Sequence, residues 1–243
     1  MGGVPFTLRS DDPVALRGLL YRWHWLERWP RRSELVLDAH FHPRQPRLVV
    51  CGRSRATPRD ATGLLVELEL TLYAELAART PWTPLHAALL GRPASAGGVL
   101  LAGDSGAGKS SLAWALIQRG WTYLGEEQAF LREEARAEGF PRALTLERDA
   151  AGERVDVVWS PDAAHEVGVE QVVLLDSARE AAAVEPLGEA AAAAALARQL
   201  LRAPRGADLA RLTSLCARAP AHRLSLAGVE RSADAVEALW ERS

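Results

Sequence analysis

Apolar residues recur along this chain at two different spacings, which predicts a mixture of strands and helices. Short apolar runs bounded by turn residues are typical of strands, and apolar residues three or four positions apart are typical of helices. Strands are predicted at residues 4–8, 35–41, 47–50, 99–102, 121–124, 129–131, 143–147, 155–159, 172–175 and 222–226. Helices are predicted at residues 14–25, 64–79, 111–119, 189–202, 208–218 and 233–241. This mixture indicates an α/β fold.

Prolines suggest where the chain divides. Pro81 and Pro84 follow the second predicted helix, and a proline disfavours helical backbone at the residue before it. We therefore expect a small α/β N-terminal region at residues 1–80 and a second domain at residues 81–243. An apolar run at 85–90 opens the second domain.

The charge and cysteine content exclude several classes of protein. With 29 basic and 31 acidic residues, the chain lacks the global positive field that nucleic-acid binding requires. Two cysteines cannot build a disulfide framework or a cysteine-rich zinc site. Residues 1–9 lack a signal-peptide pattern, and the apolar run at 190–197 is too short to span a membrane. We therefore expect a cytoplasmic protein with neither a nucleic-acid nor a membrane partner.

The strongest chemical signal is the sequence GDSGAGKS at residues 103–110, which matches the phosphate-loop pattern GxxxxGK[ST]. Its glycines allow backbone N–H groups to point inward, and the helix that follows adds the positive end of its dipole. The apolar run before the loop and the helical pattern after it count against a chance glycine-rich turn. The predicted nucleotide-binding residues are Gly103, Asp104, Ser105, Gly106, Ala107, Gly108, Lys109, Ser110 and Ser111.

The lysine of this motif is exceptional in the composition. Of the 29 basic residues, 28 are arginines, and the only lysine is Lys109. We expect Lys109 to bind the β- and γ-phosphates of ATP and the Ser110 hydroxyl to bind Mg²⁺.

Two acidic positions compete for metal binding and base catalysis. Glu126 and Glu127 follow a predicted strand, whereas Asp176 ends the apolar run 172–175 in the manner of a Walker B strand. Each position also has a structural interpretation, because the pair fits an exposed turn and Asp176 fits a cap of the element that follows. Position along the chain leaves both open.

Three segments together resemble the HPr kinase/phosphorylase superfamily. LHAA at 85–88 is similar to the family's histidine-bearing strand, and GDSGAGKS at 103–110 to its GDSGxGKS loop. RGW followed by LGEE, within residues 119–127, is similar to the turn that leads to its paired acids, and the tail at 220–239 resembles its kinase-related members. The resemblance implies that residues 81–243 form an HPr-kinase-like P-loop catalytic domain.

The resemblance also implies a role for each matching residue. Glu126 takes the position of the general base that accepts a proton from a substrate serine, and Glu127 that of the neighbouring metal-associated acid. His86 lies beside them and orients or tunes the base, since a histidine and a second carboxylate can move the pKa of an acid toward neutrality. ATP and Mg²⁺ are the implied cofactors, and the implied partner is a protein or peptide with an acceptor serine.

The sequence departs from the family at three points. Both acids are glutamates where the family carries Asp-Asp or Asp-Glu, Ser111 stands where HPr kinases carry glutamate, and the glycine-rich signature of phosphorolysis has no counterpart. These differences imply a serine kinase without phosphorylase activity, similar to the HPr-kinase-related proteins that phosphorylate precursor peptides.

Two other functions fit the loop motif. One is a non-catalytic ATP-binding module or switch, and the other is a hydrolytic P-loop NTPase that uses Asp176 for Mg²⁺. Arg198, Arg202 and Arg205 fit a solvated helix face, although one of them could stabilise a phosphoryl transition state.

Aromatic and histidine residues in the first third have weaker interpretations. His24, His40 and His42 could bind a metal, but exposed loop histidines are the favoured interpretation. The tryptophans and arginines at 22–32 fit a docking patch for a peptide or a homo-oligomer partner. They also fit an amphipathic helix end with packed tryptophans and solvent-facing arginines, which we favour.

Overall fold

The computed structural model describes residues 4, 6–12, 35–41, 45–140, 142, 144–147, 154–157, 166–176 and 183–241. The predicted helix at 14–25, the tryptophans and arginines at 22–32, and His42 lie outside these residues, so the interpretations that involve them stay predictions. The chain divides into two compact units, Met1–Pro81 and Trp82–Ser243.

Within its described residues, the first unit combines one sheet with one helix. Its strands are β1 Phe6–Ser10, β2 Leu35–His40, β3 Arg47–Val50 and β4 Arg53–Ala56, in that order, with β1 and β2 parallel and the other pairs antiparallel. Helix α1, Ala61–Arg79, begins after Asp60, whose carboxylate accepts the Gly63 N–H at 2.7 Å. Its buried leucines, spaced four residues apart, confirm the predicted amphipathic helix. Strand β4 was not predicted because its sequence RSRA carries no apolar pattern.

The second unit contains most of the strands. Nine of them form one sheet: β5 Thr83–Leu85, β6 Ala87–Gly91, β7 Gly97–Ala102, β8 Thr122–Gly125, β9 Ala129–Leu131, β10 Arg136–Gly139, β13 Glu166–Asp176, β14 Ala183–Leu187 and β15 Ala221–Ser225. Strands β11 Leu144–Glu147 and β12 Arg154–Val157 pair separately. The helices are α2 Lys109–Gln118, α3 Glu189–Ala197, α4 Gly206–Arg218 and α5 Val229–Glu237, together with a 3₁₀ turn at Glu133–Ala135.

Strands β7 and β13 form the centre of this sheet. The order is β5-β9-β10-β13-β7-β6-β8, and β13 runs parallel to both β7 and β15. Leucines of α3 and α4 pack in one core cluster, and leucines of α2 pack with residues of α5 in another. All six residues of β7 are buried, as expected for a strand covered on both faces. This arrangement confirms the α/β class and places the β7–α2 loop at the carboxyl end of a central strand.

Several predicted boundaries are wrong, for local reasons. The apolar run 85–90 breaks at His86 into β5 and β6, and the helix predicted at 189–202 ends at Ala197. The chain beyond Ala197 instead pairs with β5 through an isolated antiparallel β-bridge between Leu200 and Leu85. The last helix lies four residues earlier than predicted, and β10 and β14 were missed because they are short or polar. Within the described ranges, no helix is both long and apolar enough to cross a membrane.

Candidate functional site

The glycine-rich loop joins β7 to α2 by a backbone path that requires glycine. Gly106 and Gly108 have φ values of 80° and 89°, in the left-handed region that residues with a Cβ rarely adopt. A Cβ on Gly108 would lie 2.7 Å from Leu226 Cδ1, whereas Gly106 faces open space. Helix α2 begins directly at Lys109, so its first N–H groups face the same side as the loop.

Lys109 is unusually buried for a lysine, with 8% of its surface exposed. Its Nζ donates hydrogen bonds to the carbonyl oxygens of Gly103 at 2.8 Å and Asp104 at 3.0 Å. Burial lowers the pKa of Lys109, and the nearby negative charges of Glu127 and Glu126 oppose that shift. The lysine is therefore a cation held at the base of the loop.

A close backbone crossing brings the two glutamates opposite the loop. Strand β8 ends at Gly125, where an added Cβ would lie 2.2 Å from the carbonyl oxygen of Phe140. An added Cβ on Gly139 would lie 2.4 Å from the carbonyl oxygen of Leu124. The chain then turns at Glu127, whose φ of 65° is strained for a residue with a side chain. Such strain is characteristic of functional sites.

Glu126 contacts the serine that the motif assigns to the metal. The Ser110 Oγ donates a 2.6 Å hydrogen bond to Glu126 Oε2, and Glu126 is only 2% exposed. An O–H···O⁻ bond of this length is a strong, charge-assisted one. The two residues are sixteen positions apart in sequence, so the fold itself creates this contact.

Glu127 is more accessible and lies between two basic side chains. Its side chain is 41% exposed, with Oε2 lying 3.4 Å from His86 Nε2 and Oε1 lying 3.6 Å from an Arg142 guanidinium nitrogen. The hydrogen bond with His86 is the main cause that lowers the pKa of Glu127, and Arg142 adds to it, while burial acts in the opposite direction. Among the two carboxylates, His86 therefore pairs with Glu127.

These residues line one cavity of about 280 Å³. Its lining consists of His86, Ser105, Gly106, Gly108, Lys109, Ser110, Ser111, Glu126, Glu127 and Arg142. The fold thus gathers the three segments that the sequence analysis singled out. Gly103, Asp104 and Ala107 belong to the loop but do not line the cavity, and neither does Asp176.

Arg142 is the lining residue that sequence reasoning missed. It follows β10 by three positions, outside every motif, and no spacing rule connects it to the glutamates. The arginines that were considered lie elsewhere. Arg202 is buried against Asp208, with a 2.7 Å ion pair, so its assignment to a solvated helix face is wrong. Arg198 and Arg205 are exposed.

The side-chain oxygens at this site fit a metal ion whose coordination is completed by phosphate oxygens. The structure holds no group of three or more His, Cys, Asp or Glu side chains that could bind a metal by themselves, within the residues it describes. Mg²⁺ in phosphoryl-transfer sites uses one or two carboxylates together with substrate phosphates and water. The adjoining oxygens of Ser110 and Glu126 suit that pattern.

The connection between α3 and α4 reaches both the loop and His86. Gln199 Nε2 donates to Asp104 Oδ1 at 3.2 Å, and the Gln199 carbonyl accepts the His86 N–H at 2.7 Å. This connection is anchored in turn by the buried pair of Arg202 and Asp208. One segment therefore supports the two sides of the cavity.

Comparisons with known proteins find a distant likeness in structure and no match in sequence. No protein-family model matches the chain, and no curated protein matches it. The solved HPr(Ser) kinase/phosphatase from Coxiella burnetii aligns with 66% of this chain and 99% of its own, at 13% sequence identity and a TM-score of 0.36. The relationship is structural and distant, and the function has to be derived from the cavity itself.

Proposed function

We propose that the protein is an ATP-dependent kinase that transfers the γ-phosphate to a serine hydroxyl of a protein or precursor peptide, without phosphorylase activity. The observation that carries this proposal is the direct contact between Ser110 and Glu126 beside Lys109, in a cavity that a second carboxylate also lines. A structural turn would not require a buried lysine, a buried carboxylate and a strained glutamate in one place.

The loop supplies the site for the nucleotide. Its inward N–H groups and the start of α2 would hold the phosphates, and Lys109 would bind the β- and γ-phosphates. Gly106 supports this assignment because the space in which its Cβ would lie is open. Bound Mg²⁺ would supply charge neutralisation for the β- and γ-phosphates.

The contacts favour an exchange of roles between the two glutamates. The family resemblance implies that Glu126 is the base and Glu127 the metal-associated acid. Glu126, however, is buried and bonded to Ser110, which suits a metal ligand, whereas Glu127 is accessible and held by His86. We therefore assign Ser110 and Glu126 to the metal and Glu127 to the acceptor proton, with His86 as the residue that positions it.

In the proposed step, the acceptor serine oxygen forms a bond to the γ-phosphorus. The bond between that phosphorus and the β,γ-bridging oxygen breaks, ADP leaves, and the hydroxyl proton passes to the Glu127 carboxylate. The barrier is lowered mainly by positioning and charge neutralisation, as in other phosphoryl transfers.

Transfer of labelled γ-phosphate tests this proposal. The purified protein is incubated with ATP, Mg²⁺ and the small peptides or proteins encoded beside its gene, and the products are resolved by mass. We expect a phosphoserine on one of them and no transfer by Lys109→Ala. Nucleotide binding with no transfer to any of these acceptors would instead support the non-catalytic module.

One observation keeps the hydrolytic NTPase as a second candidate. Strand β13 lies parallel to β7, with Leu174 opposite Ala102, so Asp176 ends the strand next to the loop. If Asp176 serves Mg²⁺ in ATP hydrolysis, Asp176→Asn abolishes turnover and Glu126→Gln does not. The reverse pattern supports the kinase.

A further inference from the structure

Among the described residues that line the cavity, Lys109 and Arg142 are the two long basic side chains, and the function derived so far does not use Arg142. The other cation, Lys109, is bonded to the loop carbonyls of Gly103 and Asp104. Arg142 lies instead on the side of the paired glutamates, where its guanidinium is 3.6 Å from Glu127. The cavity thus carries positive charge on two different walls.

The main chain holds Arg142 in place. Its N–H donates to the Phe140 carbonyl at 2.9 Å, and its own carbonyl accepts a 2.9 Å hydrogen bond from the buried hydroxyl group of Tyr123. Phe140 packs directly against Gly125, the residue before the glutamates. The Arg142 side chain, which is 13% exposed, therefore extends from a backbone position fixed by hydrogen bonds to the cavity wall.

This position relates Arg142 to the reacting atoms, provided that the proposed kinase function holds. A base that accepts the serine proton must lie within hydrogen-bonding reach of the attacking oxygen. The attacking oxygen lies in line with the phosphorus and the leaving oxygen, so a cation next to the base also lies beside the transferred phosphoryl group. Arginine suits that place because its planar fork binds phosphate oxygens in pairs.

We propose that Arg142 binds the phosphoryl group in transit and stabilises its charge, as an arginine supplied by the same chain. The three equatorial oxygens of that group carry most of the charge in the transition state, and ADP lacks the group altogether. Arg142 therefore contributes little to ADP binding and much to transition-state binding.

A purely electrostatic role toward Glu127 makes different predictions. In that case Arg142 would only hold the carboxylate ionised, and its loss would slow transfer without affecting how tightly a phosphoryl mimic binds. A role in building the cavity would instead weaken all nucleotides to the same extent. Binding measurements therefore separate the three roles without relying on turnover.

The experiment compares the full-length wild type with Arg142→Gln, Arg142→Lys and the control Arg218→Gln, which changes an exposed arginine in the last turn of α4. Calorimetry measures the affinity for Mg-ADP alone and for Mg-ADP with aluminium fluoride, a mimic of the phosphoryl group in transit. Unfolding midpoints confirm that each variant is folded.

We expect the wild type and Arg218→Gln to bind ADP more tightly when fluoride is present. Arg142→Gln should keep ADP affinity within about threefold, and should lose about a hundredfold or more of the fluoride enhancement, in keeping with the large effects of catalytic arginines. Arg142→Lys should recover part of the fluoride enhancement, because lysine keeps the positive charge but lacks the planar guanidinium that binds two oxygens at once.

Three results would overturn the inference: no fluoride enhancement in the wild type, full enhancement in Arg142→Gln, or an equal loss of ADP and ADP-fluoride affinity in Arg142→Gln. Failure of the kinase proposal looks different. A wild type that transfers phosphate to no acceptor, yet shows fluoride enhancement that depends on Arg142, would contradict the acceptor chemistry and support the arginine contact.

Discussion

At the scale of single residues, adjacent glutamates in one turn face different surroundings. Glu126 is buried and receives the Ser110 hydroxyl, while Glu127 is accessible and lies between His86 and Arg142. The left-handed φ of Glu127 turns the backbone between the two, so neighbouring side chains reach separate partners. Different environments of this kind allow two neighbouring carboxylates to have different catalytic roles.

Isosteric amides at these two positions test the assigned roles. Glu126→Gln removes a negative ligand from the metal, so we expect the Mg²⁺ concentration needed for half-maximal transfer to rise by about tenfold or more. Glu127→Gln removes the proton acceptor, so we expect turnover to fall by about a hundredfold to ten-thousandfold with little change in the Mg²⁺ requirement. Magnesium titrations of steady-state transfer measure both quantities.

Leu70→Ala, a change at an exposed position of α1 in the other unit, is the control for these titrations. If instead Glu127→Gln raises the Mg²⁺ requirement and Glu126→Gln lowers turnover alone, the roles are those that the sequence resemblance implies.

The sequence identified most of this site but could not assign its contacts. Lys109 and Ser110 belong to a local motif whose geometry is fixed by a few consecutive residues, so the pattern alone was sufficient. The pairing of His86 with Glu127 joins the connection between β5 and β6 to the turn after β8, and Arg142 reaches Glu127 from a segment that no motif includes. Contacts between distant segments arise from tertiary structure, which single-sequence patterns do not contain.

At the scale of secondary-structure elements, Gly125 and Gly139 allow two backbone segments to cross at close range. This crossing places Arg142 near the glutamates. Gly139→Ala places a Cβ 2.4 Å from a backbone oxygen of Leu124, so one of the two strands has to move. We expect a loss of about 1–3 kcal/mol in the free energy of unfolding, typical of overpacking. Denaturant unfolding measures it.

Gly188→Ala is a matched control, because no atom lies within 4 Å of the Cβ it would introduce and φ there is −65°. Gly188 is the N-cap of α3, where alanine is less favourable than glycine, so we expect its free energy of unfolding to fall by no more than about 1 kcal/mol. Equal effects of the two substitutions would mean that the crossing is not a tight contact.

A buried ion pair fixes the connection between α3 and α4. Asp208 is fully buried and accepts hydrogen bonds from the Thr83 hydroxyl at 2.9 Å, the Arg205 N–H at 3.0 Å and Arg202 at 2.7 Å. Burial acts to raise the pKa of Asp208, but these hydrogen bonds outweigh it, so the pKa lies below its ordinary value of 3.8. The same network explains why the helix predicted through residue 202 stops at Ala197.

This lowered pKa gives a signed prediction for stability against pH. A carboxyl group whose pKa is lower in the folded state adds stability above pH 3.8, and that contribution is lost as the pH falls through the folded-state pKa. Asp208→Asn removes the charge at every pH and takes away the anionic partner of Arg202 in this ion pair, so we expect a loss of about 3–5 kcal/mol near neutral pH. The loss should shrink as the pH falls below 3.8.

Urea unfolding at several pH values checks this expectation. The variant Thr83→Val keeps the ion pair and removes one hydrogen bond, so its cost should be about 1–3 kcal/mol. A cost for Asp208→Asn that stays constant from neutral to acidic pH would show that the ion pair does not account for the loss.

At the scale of the whole molecule, apolar patterning predicted the class of fold better than it predicted the edges of its elements. Strand β7 and residues 172–175 of β13 were recognisable because both faces are buried there, which leaves continuous apolar runs in the sequence. Strands β4, β10 and β14 were not, because they are short, polar or at a sheet edge. The register of the nine strands depends on partners far apart in the chain, and no local pattern carries that information.

Every described residue that lines the cavity belongs to the second unit, which has core clusters on both faces of its sheet. Residues 82–243 expressed alone should therefore unfold cooperatively and bind Mg-ADP within about threefold of the affinity of the full chain, a difference below about 0.7 kcal/mol.

Saturating ADP should raise the unfolding midpoint of the fragment, since about 2.7 kcal/mol of stabilisation is expected at a hundred times the dissociation constant. Lys109→Ala in the same fragment should abolish this shift. A fragment that folds cooperatively but does not bind ADP would show that the cavity needs residues 1–81.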